Sequence, residues 1–259
     1  MAKKPVVVIG MGEMGSVFAR GLLRLGHPVY PVNRNDSMRD LANRLPTPRL
    51  VLIAVGEADL NKVLKSVPKV WRRKVALLQN ELLPADFKHL DDVTVVSVWF
   101  EKKQGMDSKV IIPSPAYGPR AKLVAKALGT LGIPVKRLKH KGELLFELVV
   151  KNLYILTSNI AGLRTGGTVA GLWADHQAFA RDVAHEVISL QEGLTGKRFD
   201  REALIASMVE AFEGDPNHGC MGRSAPARLA RALQHAKHLG IDLPTLREIA
   251  ADQAQAGAA

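Results

Sequence analysis

Cysteine is almost absent: Cys220 stands alone in 259 residues, which excludes an intramolecular disulfide framework. That usage fits folding in a reducing compartment, and a cytoplasmic location is expected. Apolar runs of membrane-spanning length are missing too. Residues 144–163 come closest, but Glu147, Lys151, Asn152 and Asn159 break the run, so no membrane partner is expected. Lys3 and Lys4 precede a short apolar stretch, yet it flows straight into a glycine motif, unlike a secretory signal. No internal repeat occurs, and the only biased segment is the Ala- and Gln-rich tail after Asp252, which is expected to fray. No Ser–His–Asp set and no paired carboxylates stand out.

Acidic residues are the scarcer charge, 25 against 36 Lys and Arg, leaving a formal charge of +11. Such a chain favours anionic ligands, nucleotide phosphates and carboxylates among them. Nucleic acid is not an expected partner. The basic residues are dispersed along the sequence, only residues 136–141 cluster, and no reader motif surrounds them.

What is present is concentrated in residues 5–34. The β-branched run Val6–Ile9 reads as a strand buried on both faces. Gly10, Met11, Gly12, Glu13, Met14 and Gly15 then form G-x-G-x-x-G, and residues 16–25 continue with helical apolar spacing up to Gly26. In this strand–turn–helix context the first glycine serves a tight turn and the second close approach of a pyrophosphate. The third allows the helix to pack on the strand. The helix N-terminus then supplies N–H groups and a positive pole to the phosphates. A second strand, residues 28–32, ends in Asn33-Arg34-Asn35. A carboxylate there would hold a ribose 2′-hydroxyl, whereas a guanidinium grips a 2′-phosphate. The reading is an NADP(H) site in which Asn33 and Arg34 join the loop, with Asp36 serving as a helix N-cap.

Further runs of β-branched and aliphatic residues at 50–55, 75–78, 93–100, 110–113 and 135–138 alternate with helical segments. This predicts an α/β fold, a Rossmann-type doubly wound parallel sheet over residues 1–139. From residue 140 to 259 the pattern is helical throughout, giving an all-α second domain for substrate binding and dimerisation. Its first helix, residues 144–163, is long and apolar and should be buried.

Chemistry requires polar groups in that second domain. At about 100° per residue, Glu147, Lys151 and Ser158 share one face of the long helix and Asn159 lies at its edge. An ammonium shielded from water can polarise a carbonyl and donate a proton to its oxygen. The same lysine could instead snorkel or pair with Glu147. His218 and Cys220 offer two metal-ligand types without a second pair, and no metal site is expected. Ser224 suits the N-cap of the following helix. Asp175 suits another N-cap, with His176 beside it.

The layout resembles the ketopantoate reductase family, within the 6-phosphogluconate dehydrogenase-like fold group. Three segments carry the resemblance: the glycine loop with Asn33-Arg34, then Leu77-Leu78-Gln79-Asn80-Glu81, then Lys151-Asn152-Leu153 through Ser158-Asn159. It implies that Asn80 lies beside nicotinamide and substrate, that Lys151 is the general acid, and that Asn159 binds substrate, with Ser158 and Ser224 lining the site. It also implies NADPH-dependent reduction of a small anionic 2-oxo acid or related carbonyl, in a homodimer. An imine- or opine-type reductase and a catalytically idle NADPH-binding regulator are the alternatives. Departures are visible. Ile155 replaces an asparagine one turn after the lysine, and Glu81 replaces a glycine. Pro226 and Arg228 stand where the family has a glutamate and an aspartate.

Overall fold

Strand β1, Val6–Ile9, is at most 4% exposed along its length, with neighbouring strands paired on both of its edges. The computed structural model describes residues 3–256. Its contacts divide into two units, Met1–Glu147 and Leu148–Ala259. The division falls inside a helix, downstream of the boundary at 139/140 read from the sequence.

The first unit runs β1, α1 (Glu13–Arg24), β2 (Val29–Val32), α2 (Met38–Arg44), β3 (Leu50–Ile53) and α3 (Glu57–Ser66). A 3₁₀ turn, Lys69–Lys74, leads into β4 (Val75–Leu77), then α4 (Pro84–Phe87) and β5 (Thr94–Val96). After these come β6 (Phe100–Glu101), β7 (Lys109–Val110), β8 (Ser114–Tyr117), α5 (Ala121–Gly129) and β9 (Val135–Arg137). Seven strands form one sheet in the order β2-β1-β3-β4-β5-β8-β9, parallel from β2 through β5. Side chains alternate across it. Val6, Val8, Leu50 and Leu52 share a core with Phe18 and Leu22 of α1 and with Val124 and Leu128 of α5. Trp71 is fully buried, its indole N–H donating to the Leu45 carbonyl at 2.8 Å.

The sheet departs from an all-parallel one at β8, which pairs antiparallel with β5. Residues 93–100 are not one strand: the chain leaves the sheet after Val96 and forms a hairpin of β6 and β7. Without a helical crossover the returning strand arrives antiparallel.

Helix α6, Lys141–Thr165, leads into the second unit. It is long and apolar enough to span a membrane, but 83% of its most apolar 18-residue window is buried inside the protein. There follow α7 (Val169–Asp175), α8 (Gln177–Thr195), α9 (Arg201–Gly214), α10 (Ala225–Leu239) and α11 (Pro244–Ala256). Glu192 of α8 is 6% exposed and accepts from Arg198, Arg201 and the Phe199 N–H. Burial alone would raise its carboxyl, but these donors hold it below the usual range.

Three local expectations are corrected. Asp175 closes α7, whose N-cap is Thr168, rather than opening α8. The N-cap of α2 is Ser37, while Asp36 accepts from the Asn33 N–H at 2.7 Å and closes the preceding turn. The tail stays helical to Ala256, since Asp252 pairs with Arg164 at 2.7 Å and Gln253 donates to the Leu163 carbonyl.

Candidate active site

The glycine loop joins β1 to α1 at the carboxyl end of the parallel strands, where open α/β sheets bind ligands. Gly10 sits at φ +91°, and a Cβ on it would meet the Ala54 carbonyl oxygen at 2.9 Å. A Cβ on Gly15 would lie 2.0 Å from the Gly10 oxygen. Packing of the chain on itself therefore requires both glycines. Gly12 is different: its φ is −74° and nothing lies within 4 Å of its Cβ position. Among the described residues no neighbour demands a glycine there, so the small residue fits close approach by a ligand. Gly12 is also the N-cap of α1 and supplies no capping side chain, leaving the first N–H groups for an anion. Around it Met11 is 38% exposed, Met14 packs against the core, and Glu13 pairs with Lys102 at 3.4 Å.

Beyond β2 the turn closed by Asp36 presents Asn33 and Arg34 to solvent. Among the described residues no carboxylate pairs with the Arg34 guanidinium, so it is available to an anion.

After β4 the chain enters Gln79-Asn80-Glu81. Gln79 is buried and donates from Nε2 to the carbonyls of Ile53 at 2.8 Å and Val55 at 3.1 Å. Its Oε1 accepts from the Leu78 N–H. The amide thereby ties the carboxyl ends of β3 and β4 and positions Asn80, which is half-buried. Sequence reasoning used Gln79 only as part of a motif and missed this role. Glu81 lies at φ +58°, in the left-handed region. The turn keeps the conformation a glycine would adopt freely although a side chain occupies it.

In the second unit, Lys151 is 9% exposed and its ammonium lies 5.4 Å from the centroid of the Tyr154 ring, three residues on. The i, i+3 spacing of lysine and tyrosine was a legible signal of this cation–π contact. Tyr154 packs against Phe212 and His218, with ring centroids 5.3 and 6.0 Å away. Asn152 faces elsewhere, donating to Gln191 at 3.0 Å in the interior. Glu147 takes Lys136 as a partner at 3.0 Å. Ser158 has no exposed surface, and its hydroxyl donates to the Tyr154 carbonyl at 2.7 Å.

Asn159 is 7% exposed, and its Oδ1 accepts from Arg228 Nη1 at 2.9 Å. The structure thus brings the edge of the Lys151 helix together with Arg228. Ser224 occupies the N-cap position of α10 but makes no capping hydrogen bond, and it is exposed. His218 lies 3.8 Å from Asp215, whereas Cys220 is fully buried and its N–H donates to the Gly167 carbonyl. Burial pushes the Cys220 thiol up to about 11, which removes it as a nucleophile at neutral pH.

No family model matches the chain, and no curated protein matches it. Solved structures match over nearly its whole length. A 2-dehydropantoate 2-reductase from Methylococcus capsulatus has 14% identity and a TM-score of 0.70, covering 98% of this chain and 96% of that one. A ketopantoate reductase from Ralstonia eutropha JMP134 has 16% identity and a TM-score of 0.64, covering 95% and 96%. A D-mandelate dehydrogenase bound to NADH and anilino(oxo)acetate has 13% identity and a TM-score of 0.67, covering 95% and 96%. The fold is that of the ketopantoate reductases, a Rossmann-type sheet followed by helices.

Proposed function

We propose that the protein is an NADPH-dependent reductase of a small 2-oxo acid or a closely related carbonyl, a divergent relative of the ketopantoate reductases. One observation carries the reading. A lysine 91% buried on a long, largely buried helix, with an amide two turns on, occurs in a chain whose other unit presents a dinucleotide loop. Lysines are seldom this deeply buried.

A reduced nicotinamide dinucleotide supplies the hydride for such a reaction. Gly10, Met11, Gly12, Glu13, Met14 and Gly15 hold its pyrophosphate, Asn33 and Arg34 bind a 2′-phosphate, and Asn80 attends the nicotinamide and substrate. The Lys151 ammonium donates to the carbonyl oxygen and delivers the proton as negative charge grows there. The Tyr154 ring face stabilises that ammonium. The Asn159 amide orients the substrate. Ser158, buried, acts by fixing the helix backbone beside Asn159, and Ser224, exposed, is open to the substrate.

A solved relative from Staphylococcus aureus is described as dimeric, and we extend a homodimer to this chain.

The arginine on Asn159 favours a second reading, an NADPH-binding protein without turnover, because it occupies an amide oxygen that could otherwise meet a substrate hydroxyl. One experiment separates the readings. NADPH oxidation is followed with a panel of 2-oxo acids, alone and with amines added. Oxidation by a 2-oxo acid alone supports the first reading, and oxidation only with an amine supports an imine- or opine-type reductase. Tight NADPH binding without oxidation leaves the regulator.

A further inference from the structure

The cations that look dispersed in the sequence meet at one edge of the sheet. Lys4 lies just before β1, Arg49 directly precedes β3, and Arg73 and Lys74 directly precede β4. The Arg49 N–H donates to the Pro5 carbonyl at 2.7 Å, and the register sets Val6 opposite Leu50 and Val51 opposite Val75. Strand β8 runs the other way, so its last residues reach this same edge. Arg120 follows it, its N–H donating to Thr94 Oγ1 at the start of β5. Arg137 ends β9, paired in register with Ala116 of β8. Neighbouring strands are about 4.8 Å apart, so the row from β1 to β9 spans about 24 Å.

Acids do little to neutralise this edge. Asp92 is taken by Arg73 at 2.6 Å, with Asp91 beside it. Among the described residues, the side chains of Lys4, Arg49, Lys74, Arg120 and Arg137 enter no ion pair. The cations feel one another instead. Arg120 foremost, then burial, Lys4, Arg49 and Arg73 push Lys74 below the ordinary lysine range. Asp92 also acts on Arg120 and Lys74, but one carboxylate shared among several cations leaves them repelling, and a further anion relieves them.

The shape of the cluster selects the anion. A single phosphate would touch two or three of these side chains, whereas a row about 24 Å long suits phosphates repeated along a chain. Four of the six cations are arginines, whose forks match phosphate oxygens. The glycine loop stands at the opposite ends of the strands, about 13 Å away for four residues of strand, so the two sites can be filled together.

From this we infer that the amino-terminal edge of the sheet binds the phosphodiester backbone of nucleic acid, without sequence preference. The inference revises the expectation drawn from the order of residues along the chain. It stands independently of the reductase reading.

The test is fluorescence anisotropy with labelled 20-nucleotide RNA and DNA, single- and double-stranded, over a salt series on the full chain. Four to six neutralised phosphates on a single strand give a slope of log K against log salt of about −3 to −4. The variant Arg49→Glu/Lys74→Glu is expected to bind at least tenfold more weakly and with a shallower slope. Lys62→Glu/Lys65→Glu, an equal charge change on exposed lysines of α3, is expected to bind within about twofold of the parent. Thermal unfolding shows that each variant is folded. If the charge reversal is not, Lys4→Ala/Arg49→Ala, at two exposed positions, is expected to lose about threefold. Three results overturn the proposal: no binding at 50 mM salt, equal losses in the edge variant and the α3 control, or tighter binding to phosphatidylserine vesicles than to RNA.

Discussion

Arg228 Nη1 donates to Asn159 Oδ1 at 2.9 Å across 69 residues of sequence. A guanidinium has donors only, so the amide atom facing it is the oxygen, and the Asn159 NH₂ points the other way, 3.5 Å from Ser158 Oγ. The Arg228 donor thus takes one of the two lone pairs of the Asn159 oxygen and fixes the orientation of the amide. An arginine therefore sets the polarity around this amide. The pair should also be measurable in stability. Arg228→Met leaves a buried carbonyl oxygen without its charged donor, and a double-mutant cycle with Asn159→Leu should return a coupling of about 1.5–3 kcal/mol in urea unfolding. Additive losses would show that the contact contributes nothing.

The three loop glycines should separate by cause. Gly12→Ala is expected to unfold within about 0.5 kcal/mol of the parent, because its Cβ meets nothing and its φ suits alanine. Its NADPH affinity should fall at least tenfold. Gly15→Ala, 2.0 Å from a backbone oxygen, is expected to fail to fold. Undiminished NADPH binding by Gly12→Ala would remove the pyrophosphate from this loop.

Arg34→Ala should discriminate between cofactors. The guanidinium has no carboxylate partner among the described residues, so removing it costs the fold little. The NADPH dissociation constant is expected to rise at least tenfold while that for NADH changes less than about threefold. Equal changes for both would contradict a 2′-phosphate contact.

Glu81 holds φ +58° with a side chain present, a conformation that costs a non-glycine residue about 1–2 kcal/mol. Glu81→Gly and Glu81→Ala both remove the carboxylate, and only glycine relieves the backbone. The glycine variant should be more stable than the alanine variant by about 1 kcal/mol in urea unfolding. Equal stability would mean that the turn relaxes without cost.

Much of this was legible in the sequence because it is local. The strand–glycine–helix signal placed α1 and its loop, and Gly196 and Gly240 marked helix ends that close in the left-handed conformation. The reversal at β8 was not legible, since a hairpin and a crossover both leave apolar runs of similar length. Nor was the hold of Arg228 on Asn159, because nothing in local spacing couples two helices 69 residues apart. The basic edge escaped for the same reason. Parallel strands bring Lys4, Arg49 and Lys74 to one end only after the intervening helices have folded back. The antiparallel β8 then adds Arg120 to that end. Sequence periodicity reports faces of single elements, and these features arise between elements.

The proposed reaction turns on Lys151, as the group that delivers the proton in reduction of a 2-oxo acid by NADPH. Its most direct test measures kcat for NADPH oxidation by the best 2-oxo acid of the panel, parent against Lys151→Ala, beside NADPH affinity from its fluorescence. The value of kcat is expected to fall at least about 100-fold, the scale of a lost general acid, with the NADPH dissociation constant within about twofold. Turnover by Lys151→Ala at the parental rate would contradict it.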